Sequence, residues 1–337
     1  MAEAKRRAGV VLFQLGGPDT LEAIEPFLYN LFSDPDIIDF PFARLGRRPL
    51  ARLIAATRAR KVAHHYAVIG GGSPIRRHTE AQARALEAEL TRRGMDARCL
   101  VAMRYWHPFT QEAVAALEAE RCQDIVLLPL YPQYSSTTTG SSLNEWARRY
   151  PPNGARVRLV REFFAHAPYL DALVERVEET LAQFSRPQEA ELVFSAHSVP
   201  MAVIERGDPY QWQTEETVRR VMARGGWKNP YRLCYQSKVG ASRWLQPSLR
   251  ATIRALAAEK AQQVCVVPVS FVSDHVETLG EIDHEAREMA RALGIRQFRM
   301  TRGLNDSPRF IAALAGLVQQ ALEMQESRAA EELVAAN

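Results

Sequence analysis

Cysteine is scarce and scattered: the 337-residue chain has four, Cys99, Cys122, Cys234 and Cys265, and no C-x-x-C pair among them. Such spacing excludes a disulfide-stapled scaffold and a zinc ribbon, and it reads as buried thiols in a reducing compartment. Long apolar runs are missing too. None approaches the ~18–20 residues that span a bilayer, and Met1-Ala-Glu-Ala-Lys-Arg-Arg leads into a strand with no signal peptide visible, so the chain is expected to be soluble or only peripherally attached. No phosphate loop of either common kind, G-x-x-x-x-G-K-S/T or G-x-G-x-x-G, follows a strand. Gly16-Gly-Pro18 and Gly70-Gly-Gly-Ser-Pro74 lack the lysine and the spacing that nucleotide phosphates need. Those glycines either let backbone approach a bulky flat ligand or simply make sharp turns. Zinc-finger spacing, RRM-like aromatics and an uninterrupted basic helix are all absent, which argues against nucleic acid as a partner.

What is present is an ordinary globular composition, 47% hydrophobic, 24% charged and 8% aromatic, on a chain long enough for two domains. The net charge of +4 hides an uneven distribution. Residues 44–104 carry 14 basic and four acidic side chains, net +10, so the remainder sums to −6. A basic region of this kind attracts phosphates, carboxylates or anionic headgroups, or is a solvated surface.

Short apolar strands alternate with longer amphipathic helices, the rhythm of a parallel sheet covered on both faces. The predicted strands are Val10–Leu15, Ala97–Met103, Ile125–Leu130, Val157–Val160, Leu192–Ser195, Arg232–Tyr235 and Val264–Val269. Helices are predicted around 21–31, 50–64, 80–93, 110–120, 169–183, 215–224, 247–259, 276–293 and 308–325. A Pro-Pro-Asn-Gly turn at Pro151–Gly154 marks the restart of the pattern. Val11–Pro18 echoes Val193–Pro200, and Leu127-Leu-Pro-Leu130 echoes Val266-Val-Pro-Val269, which suggests two similar α/β domains facing one another.

In open parallel sheets ligands bind beyond the carboxyl ends of the strands. His197 lies there in Phe194-Ser-Ala-His-Ser-Val-Pro200, placed to accept a proton near neutral pH or to ligate a metal. After the matching strand, Ser273-Asp-His-Val-Glu-Thr278 enters a helix on which Glu277, Glu281 and Glu285 stand at i, i+4 and i+8, on one face. Asp274 and Glu277 have the spacing of a capping box. Alternatively, Asp274, His275 and Glu277 face His197, with the carboxylates forming a file suited to a divalent cation. The other strand ends are aromatic and cationic: Met103–Pro108, Tyr131–Ser135, Tyr235–Lys238 and Trp244. They read either as core aromatics or as the rim of a large planar ligand bearing carboxylates.

Eight motifs in order then carry a family resemblance: Leu15-Gly-Gly-Pro18, Ile69–Ile75, Arg104-Tyr-Trp-His-Pro108, Leu130–Tyr134 with Thr138–Ser142, Phe194–Ser198, Gly207-Asp-Pro-Tyr210, Gln236–Gly240 and Ser273–Thr278. From about Val10 to Leu322 the chain resembles ferrochelatases, which insert ferrous iron into a porphyrin in the last step of haem synthesis. The resemblance implies two Rossmann-like domains with parallel sheets flanked by helices, a chelatase-like α/β fold with the active cleft between them. Residues 1–150 would form the first domain, joined by a C-terminal helix at 305–330, and 151–304 the second, which carries the metal site. It makes His197 the essential histidine and Glu277 its partner at the metal site, with Glu281 and Glu285 continuing a file for metal or protons. Leu15, Tyr66, Ser73, Arg104, Tyr105 and Phe271 fall at cleft positions, and Arg58 and Lys61 near the entrance.

The substrates implied are protoporphyrin IX and Fe2+. Coproporphyrin III ferrochelatase, another tetrapyrrole chelatase and a porphyrin carrier without turnover are the rival readings. No resident cofactor is implied. Some relatives hold a 2Fe–2S cluster, but nothing after Cys265 is cysteine and Ser136 occupies the upstream ligand position, so no cluster is expected. Gln14 stands where asparagine is usual, and Ala67 replaces a commonly polar residue. The segment Ile37–Ile54, apolar residues interleaved with arginines, aligns with the lip of the cleft. It suits reversible docking on an anionic membrane, which would place the protein in the cytoplasm or at the membrane's inner face beside an upstream porphyrinogen oxidase.

Overall fold

Every residue of the first strand, β1 (Ala8–Gln14), is buried, as a parallel sheet requires when helices cover both its faces. The computed structural model describes residues 7–36, 43–151, 154–237 and 242–335, and of residues 43–45 and 324–335 the backbone only. The remaining strands among them are β2 (Ala97–Met103), β3 (Asp124–Pro129), β4 (Arg156–Leu159), β5 (Glu191–His197), β6 (Tyr231–Gln236), β7 (Gln263–Pro268) and β8 (Gln297–Met300). They form two parallel sheets of the same topology, β2-β1-β3-β4 and β6-β5-β7-β8. The sequence echoes thus pair strands that hold equivalent places, β1 with β5 and β3 with β7.

The first-half helices are α1 (Ile24–Ser33), α2 (Ala43–Val68), α3 (Ile75–Arg92), α4 (Thr110–Ala119) and α5 (Ser141–Arg149). The second half adds α6 (Ala167–Leu181), α7 (Met201–Glu205), α8 (Tyr210–Gly225), α9 (Leu249–Ala258) and α10 (Arg287–Ala292), and α11 (Pro308–Ala335) closes the chain. Two π-helical segments occupy matching positions, Ser136–Gly140 after β3 and Val276–Ala286 after β7.

Alternation along the strands sorts the core. Val10 and Leu12 of β1 and Leu192, Phe194 and Ala196 of β5 enter one apolar cluster shared by both halves, with Leu86, Tyr169 and Phe310. The opposite faces have their own cover: Val11 and Phe13 meet α4 and Trp146, whereas Val193 and Val266 meet α9 and Ile282. Helix α11 packs on α3, β3, β4 and α6. Polar ties also cross between the halves. Gln133 donates to Thr217 and to the Val269 carbonyl, the Tyr134 amide donates to Gln213, and Asp208 accepts from the Ser136 amide and hydroxyl at 2.7 and 2.8 Å.

Several boundaries differ from those read in the sequence. The strand predicted at 157–160 was placed beyond a break at 151, in the second domain. It pairs instead with β3, from Asp124↔Arg156 to Leu127↔Leu159, and Asp124 holds Arg156 and Arg158 of β4 at 2.6 and 2.5 Å. The first sheet therefore extends past residue 151, and the crossing to the second half follows β4. Helix α2 runs through Pro49 and begins at Ala43, seven residues before the predicted start at Leu50. Strand β8 is short and polar at Gln297 and Arg299, and α5 follows a Ser/Thr-rich stretch; neither was predicted. Residues 37–42 of the lip, and Lys238 with its motif through Gly240, lie outside the described residues.

Candidate active site

Strand β5 ends on His197, and the π-helix after β7 begins one residue before Glu277; their neighbouring positions in the second sheet bring the two side chains together. His197 Nδ1 lies 2.8 Å from Glu277 Oε2. The backbone of His197 is held on both sides, its amide donating to Ser270 Oγ at 2.8 Å and its carbonyl accepting from the Tyr210 hydroxyl at 2.8 Å. Gln236, at the end of β6, donates to the Glu277 carbonyl. Phe271 stands edge-on to the imidazole, with ring centroids 6.2 Å apart. The His197 side chain remains 36% exposed, so a tightly positioned base is open to an incoming molecule.

The capping box predicted for Asp274 and Glu277 does not form. The helix begins one residue later, with the His275 amide donating to Thr278 Oγ1. Asp274 instead turns to the Gly303 amide and to Asn305 Nδ2. Glu277 is thereby released from a capping role and faces His197, with His275 Nε2 3.8 Å from its carboxylate.

Charge in this cluster is strongly coupled to burial. Burial pulls the His197 pKa down, but the charge and hydrogen bond of Glu277, aided by Glu281, more than offset it and hold the imidazole above its ordinary value. For Glu277, burial acts upward and the His197 charge and hydrogen bond, with His275, win, leaving it well below the carboxylate range. For Glu281, burial and then the Glu277 charge outweigh a 2.6 Å hydrogen bond from Ser237 and the His197 charge and push it up to about 7. The result is a His197–Glu277 pair whose imidazole holds a proton more tightly than an ordinary histidine, beside a carboxyl raised to about 7.

Helix α2 closes this site from the first half. Tyr66 is buried, and burial together with the charges of Glu277 and Glu281 raises its pKa. Val276 packs into the same apolar cluster as Tyr66, Tyr105 and Leu15. One turn along the π-helix from Glu281, Glu285 meets His65 Nδ1 at 2.7 Å and Arg250 at 3.4 Å. The ring of His64 lies 3.9 Å from that of His65, centroid to centroid. Burial lowers the His65 pKa, partly countered by Glu285.

Other residues singled out in the sequence take different places. Tyr105 is 1% exposed and donates to Asp34, so it braces the first half from inside and offers no face to a ligand. Arg104, 11% exposed, is committed to Asp34 at 2.8 Å and to Ser141 at 2.9 Å; its guanidinium is spent internally, not on a rim. Ser73 is buried too. Its amide donates to the Pro18 carbonyl at 2.6 Å, and a Cβ on Gly17 would come within 2.8 Å of its side chain. The two glycine segments therefore approach one another. Gly72 shows the same tightness, since a Cβ there would stand 2.2 Å from the Asp19 carbonyl oxygen. Leu15 is partly buried against Tyr66 and Tyr105, Arg58 lies over the Phe32 ring at 5.6 Å, and Lys61 is exposed on α2.

Sequence reasoning missed His64, His65, Ser237, Ser270 and the role of Tyr210. Tyr210 was visible within Gly207-Asp-Pro-Tyr210, but its bond to the His197 carbonyl exists only in the fold. No sequence signal links the histidines to Glu285, over two hundred residues away.

Comparison with known proteins bears on this geometry. The ferrochelatase family model matches residues 7–322. The ferrochelatase of Geotalea uraniireducens is 50% identical over 322 residues, covering 95% of this chain and 99% of the relative. That of Cyanothece sp. is 46% identical over 322 residues, covering 94% and 83%. Among solved structures, SirB from Bacillus subtilis with Fe3+ superposes with a TM-score of 0.57 at 11% identity, covering 96% of this chain and 98% of that one; at that identity the likeness concerns the fold.

Proposed function

The chain belongs to the ferrochelatase family, and on that premise we propose that it inserts Fe2+ into protoporphyrin IX to give protohaem, releasing two protons. It is an enzyme, a lyase of haem biosynthesis that places metal in a porphyrin. The observation that carries the proposed mechanism is the His197–Glu277 pair with Glu281 beside it.

Metallation requires the ring to leave planarity, two pyrrole N–H protons to depart and a partly dehydrated cation to arrive. Groove walls that fit a bent ring better than a flat one lower the barrier by differential binding. His197 accepts a pyrrole proton when its imidazole is neutral, and Glu277 orients it and stabilises the imidazolium that forms. Glu281, titrating at about 7, is matched to receive a proton and release it to solvent at neutral pH. Two protons thus have two acceptors. Phe271 and Leu15 supply apolar contact to the ring. Lys61, exposed on α2, and Arg58 are the cations this reading assigns to the propionates.

The four cysteines are buried and free, and burial pushes the Cys234 and Cys265 thiols up to about 12. That is the reverse of what thiolate ligation to a 2Fe–2S cluster needs, so the proposal includes no cluster. No helix of the described residues is long and apolar enough to cross a membrane. Leu50 and Leu53, the latter 63% exposed, flank exposed Arg52 on α2, which supports peripheral docking on an anionic inner leaflet, where an upstream porphyrinogen oxidase would hand over its product. Flotation with liposomes independent of anionic lipid would remove that element.

The test is anaerobic incubation with Fe2+ or Zn2+ and either protoporphyrin or coproporphyrin, following the Soret and Q bands. Metallation of protoporphyrin at the higher kcat/KM, and its loss in His197→Ala, is the expected result. A preference for coproporphyrin overturns the substrate, and a His197→Ala variant as fast as the parent overturns the mechanism.

A further inference from the structure

We propose that Asp208 and Tyr210 are positioning residues for the proton-accepting step, through which the first half of the molecule holds His197 in register with Glu277. The carbonyl of His197 accepts from the Tyr210 hydroxyl at 2.8 Å, and the Tyr210 amide donates to Asp208 Oδ1 at 3.1 Å. The other carboxylate oxygen, Oδ2, accepts from the Ser136 amide and hydroxyl at 2.7 and 2.8 Å and from the Ser135 hydroxyl at 3.2 Å. These bonds run unbroken from the π-helix after β3, in the first half, to the backbone of the base.

The end of β5 shows why the base needs them. The Val269 amide donates to the Ser195 carbonyl at 2.9 Å, and the ladder between β5 and β7 closes there. His197 lies two residues further on, where a continuing parallel neighbour would have supplied both a donor and an acceptor. Two side-chain hydroxyls take its place, Ser270 for the amide and Tyr210 for the carbonyl, each at 2.8 Å. Ser270 comes from the loop that follows β7 itself. Tyr210 opens α8, a helix fastened to the first half: Gln213 accepts from the Tyr134 amide at 2.7 Å, and Thr217 accepts from Gln133 Nε2 at 3.0 Å. Gln133, Tyr134, Ser135 and Ser136 are therefore all bound to α8 or to Asp208 just before it.

A helix cap explains only half of Asp208. Its bond to the amide two residues on is the turn that aspartate commonly makes with nearby backbone, and it uses one oxygen. The second oxygen meets three donors some seventy residues away, and among the described residues no cation pairs with this carboxylate. Core packing likewise explains the buried ring of Tyr210, but packing alone does not require its hydroxyl to end on the base. A reacting group displaced by about 1 Å loses on the order of 100-fold in rate, so the hold on His197 has a kinetic consequence. That consequence rests on the function proposed above, whereas the geometry belongs to the chain without porphyrin.

Two readouts test the assignment. In porphyrin-free protein, NMR follows the downfield proton of the hydrogen bond from His197 Nδ1 to Glu277. With porphyrin and Fe2+, single-turnover metallation reads the chemical step, and KM for porphyrin is measured separately. Tyr210→Phe keeps the ring and removes the donor. It should shift or broaden the downfield proton and slow metallation about tenfold or more, with porphyrin KM within about twofold of the parent. Asp208→Asn should act in the same direction, and the variant carrying both changes should be no slower than Tyr210→Phe alone, because Asp208 acts through Tyr210. If Asp208→Asn folds poorly, Ser136→Ala, at an exposed residue, takes its place and should show the same lack of additivity. A parent-like proton signal and rate in Tyr210→Phe overturn the assignment, as does a raised porphyrin KM at an unchanged rate. Losses that multiply in the double variant overturn the link to the first half. A shifted downfield proton in a chain that metallates no porphyrin would sink the function and leave the positioning role standing.

Discussion

Glu277→Gln retains an oxygen able to meet His197 Nδ1 at 2.8 Å and removes only the charge. Two unit charges about 4 Å apart interact by about 4 kcal/mol at an effective dielectric of 20, equivalent to about three pH units in the partner's titration. The His197 side chain is 36% exposed, so water screens part of this, and about one to two pH units is the expected remainder. The sign follows from the role of the base. His197 takes a proton only when neutral, so kcat/KM rises as pH climbs through its pKa, and Glu277 places that pKa above the ordinary value. Without the Glu277 charge, only Glu281 is left to oppose burial, and the pKa falls. The acidic limb of the pH profile should therefore move to lower pH by about one to two units, while the plateau drops about 10- to 100-fold because the imidazolium loses its counter-charge. A pH series of kcat/KM, paired with NMR titration of the His197 ring, reads both effects. A limb and a ring titration unchanged from the parent would refute the assignment of Glu277 as the group that sets the basicity of His197.

Three further outcomes follow from the packing and charge described. Glu281 is raised to about 7, so its neutral form is the one the fold favours: its contribution is complete below the unfolded value near 4.5 and is lost as pH rises through 7. Glu281→Gln should therefore stabilise the protein relative to the parent by about 1–3 kcal/mol at pH 8 and by far less at pH 4.5, and equal urea midpoints at pH 8 would contradict this. Tyr105→Phe removes a buried donor to Asp34 and should cost about 1.5–3 kcal/mol of stability; a large rise in porphyrin KM without that cost would mean the ring touches substrate after all. Gly72→Ala drives a methyl group into the Asp19 carbonyl and should cost about 1–3 kcal/mol or more in thermal or urea unfolding, an effect that an unstrained loop would not show.

Seven of the eight strands among the described residues were legible, most of them because they are short apolar runs with helical periodicity on either side, as in Val10–Leu15 and Val264–Val269. Their common order in two sheets was foreshadowed by the echoes between β1 and β5 and between β3 and β7. β8 escaped because an edge strand can be short and polar. The candidate site was half legible. His197 and Glu277 could be named from strand ends and motifs, but the carboxylate spacing fits an α-helix as well as a π-helix, and only the fold shows the wider one. Burial was the least legible property. Arg104 and Tyr105 lie in a motif that suggests a rim, yet Asp34, some seventy residues earlier, draws both inward. Contacts of such long sequence separation, like His65 with Glu285, leave no local trace.

Helix α11 has a bearing on how the chain is made. Phe310, Leu314 and Val318 are fully buried in the cluster that also holds Val10, Leu12 and Val126 of the first sheet. When a ribosome has released β1 to β4, α3 can cover β1 and β2 on that face, but β3 and β4 still lack the helix that packs on them, because α11 comes after the entire second half. The usual order, in which an N-terminal domain finishes before the next begins, does not hold here. The nascent first half must wait with the β3 side of that face, Val126 included, uncovered until residues beyond 308 emerge, the interval in which it most needs a chaperone, and truncations that spare every residue of the His197 site but remove α11 should aggregate during synthesis.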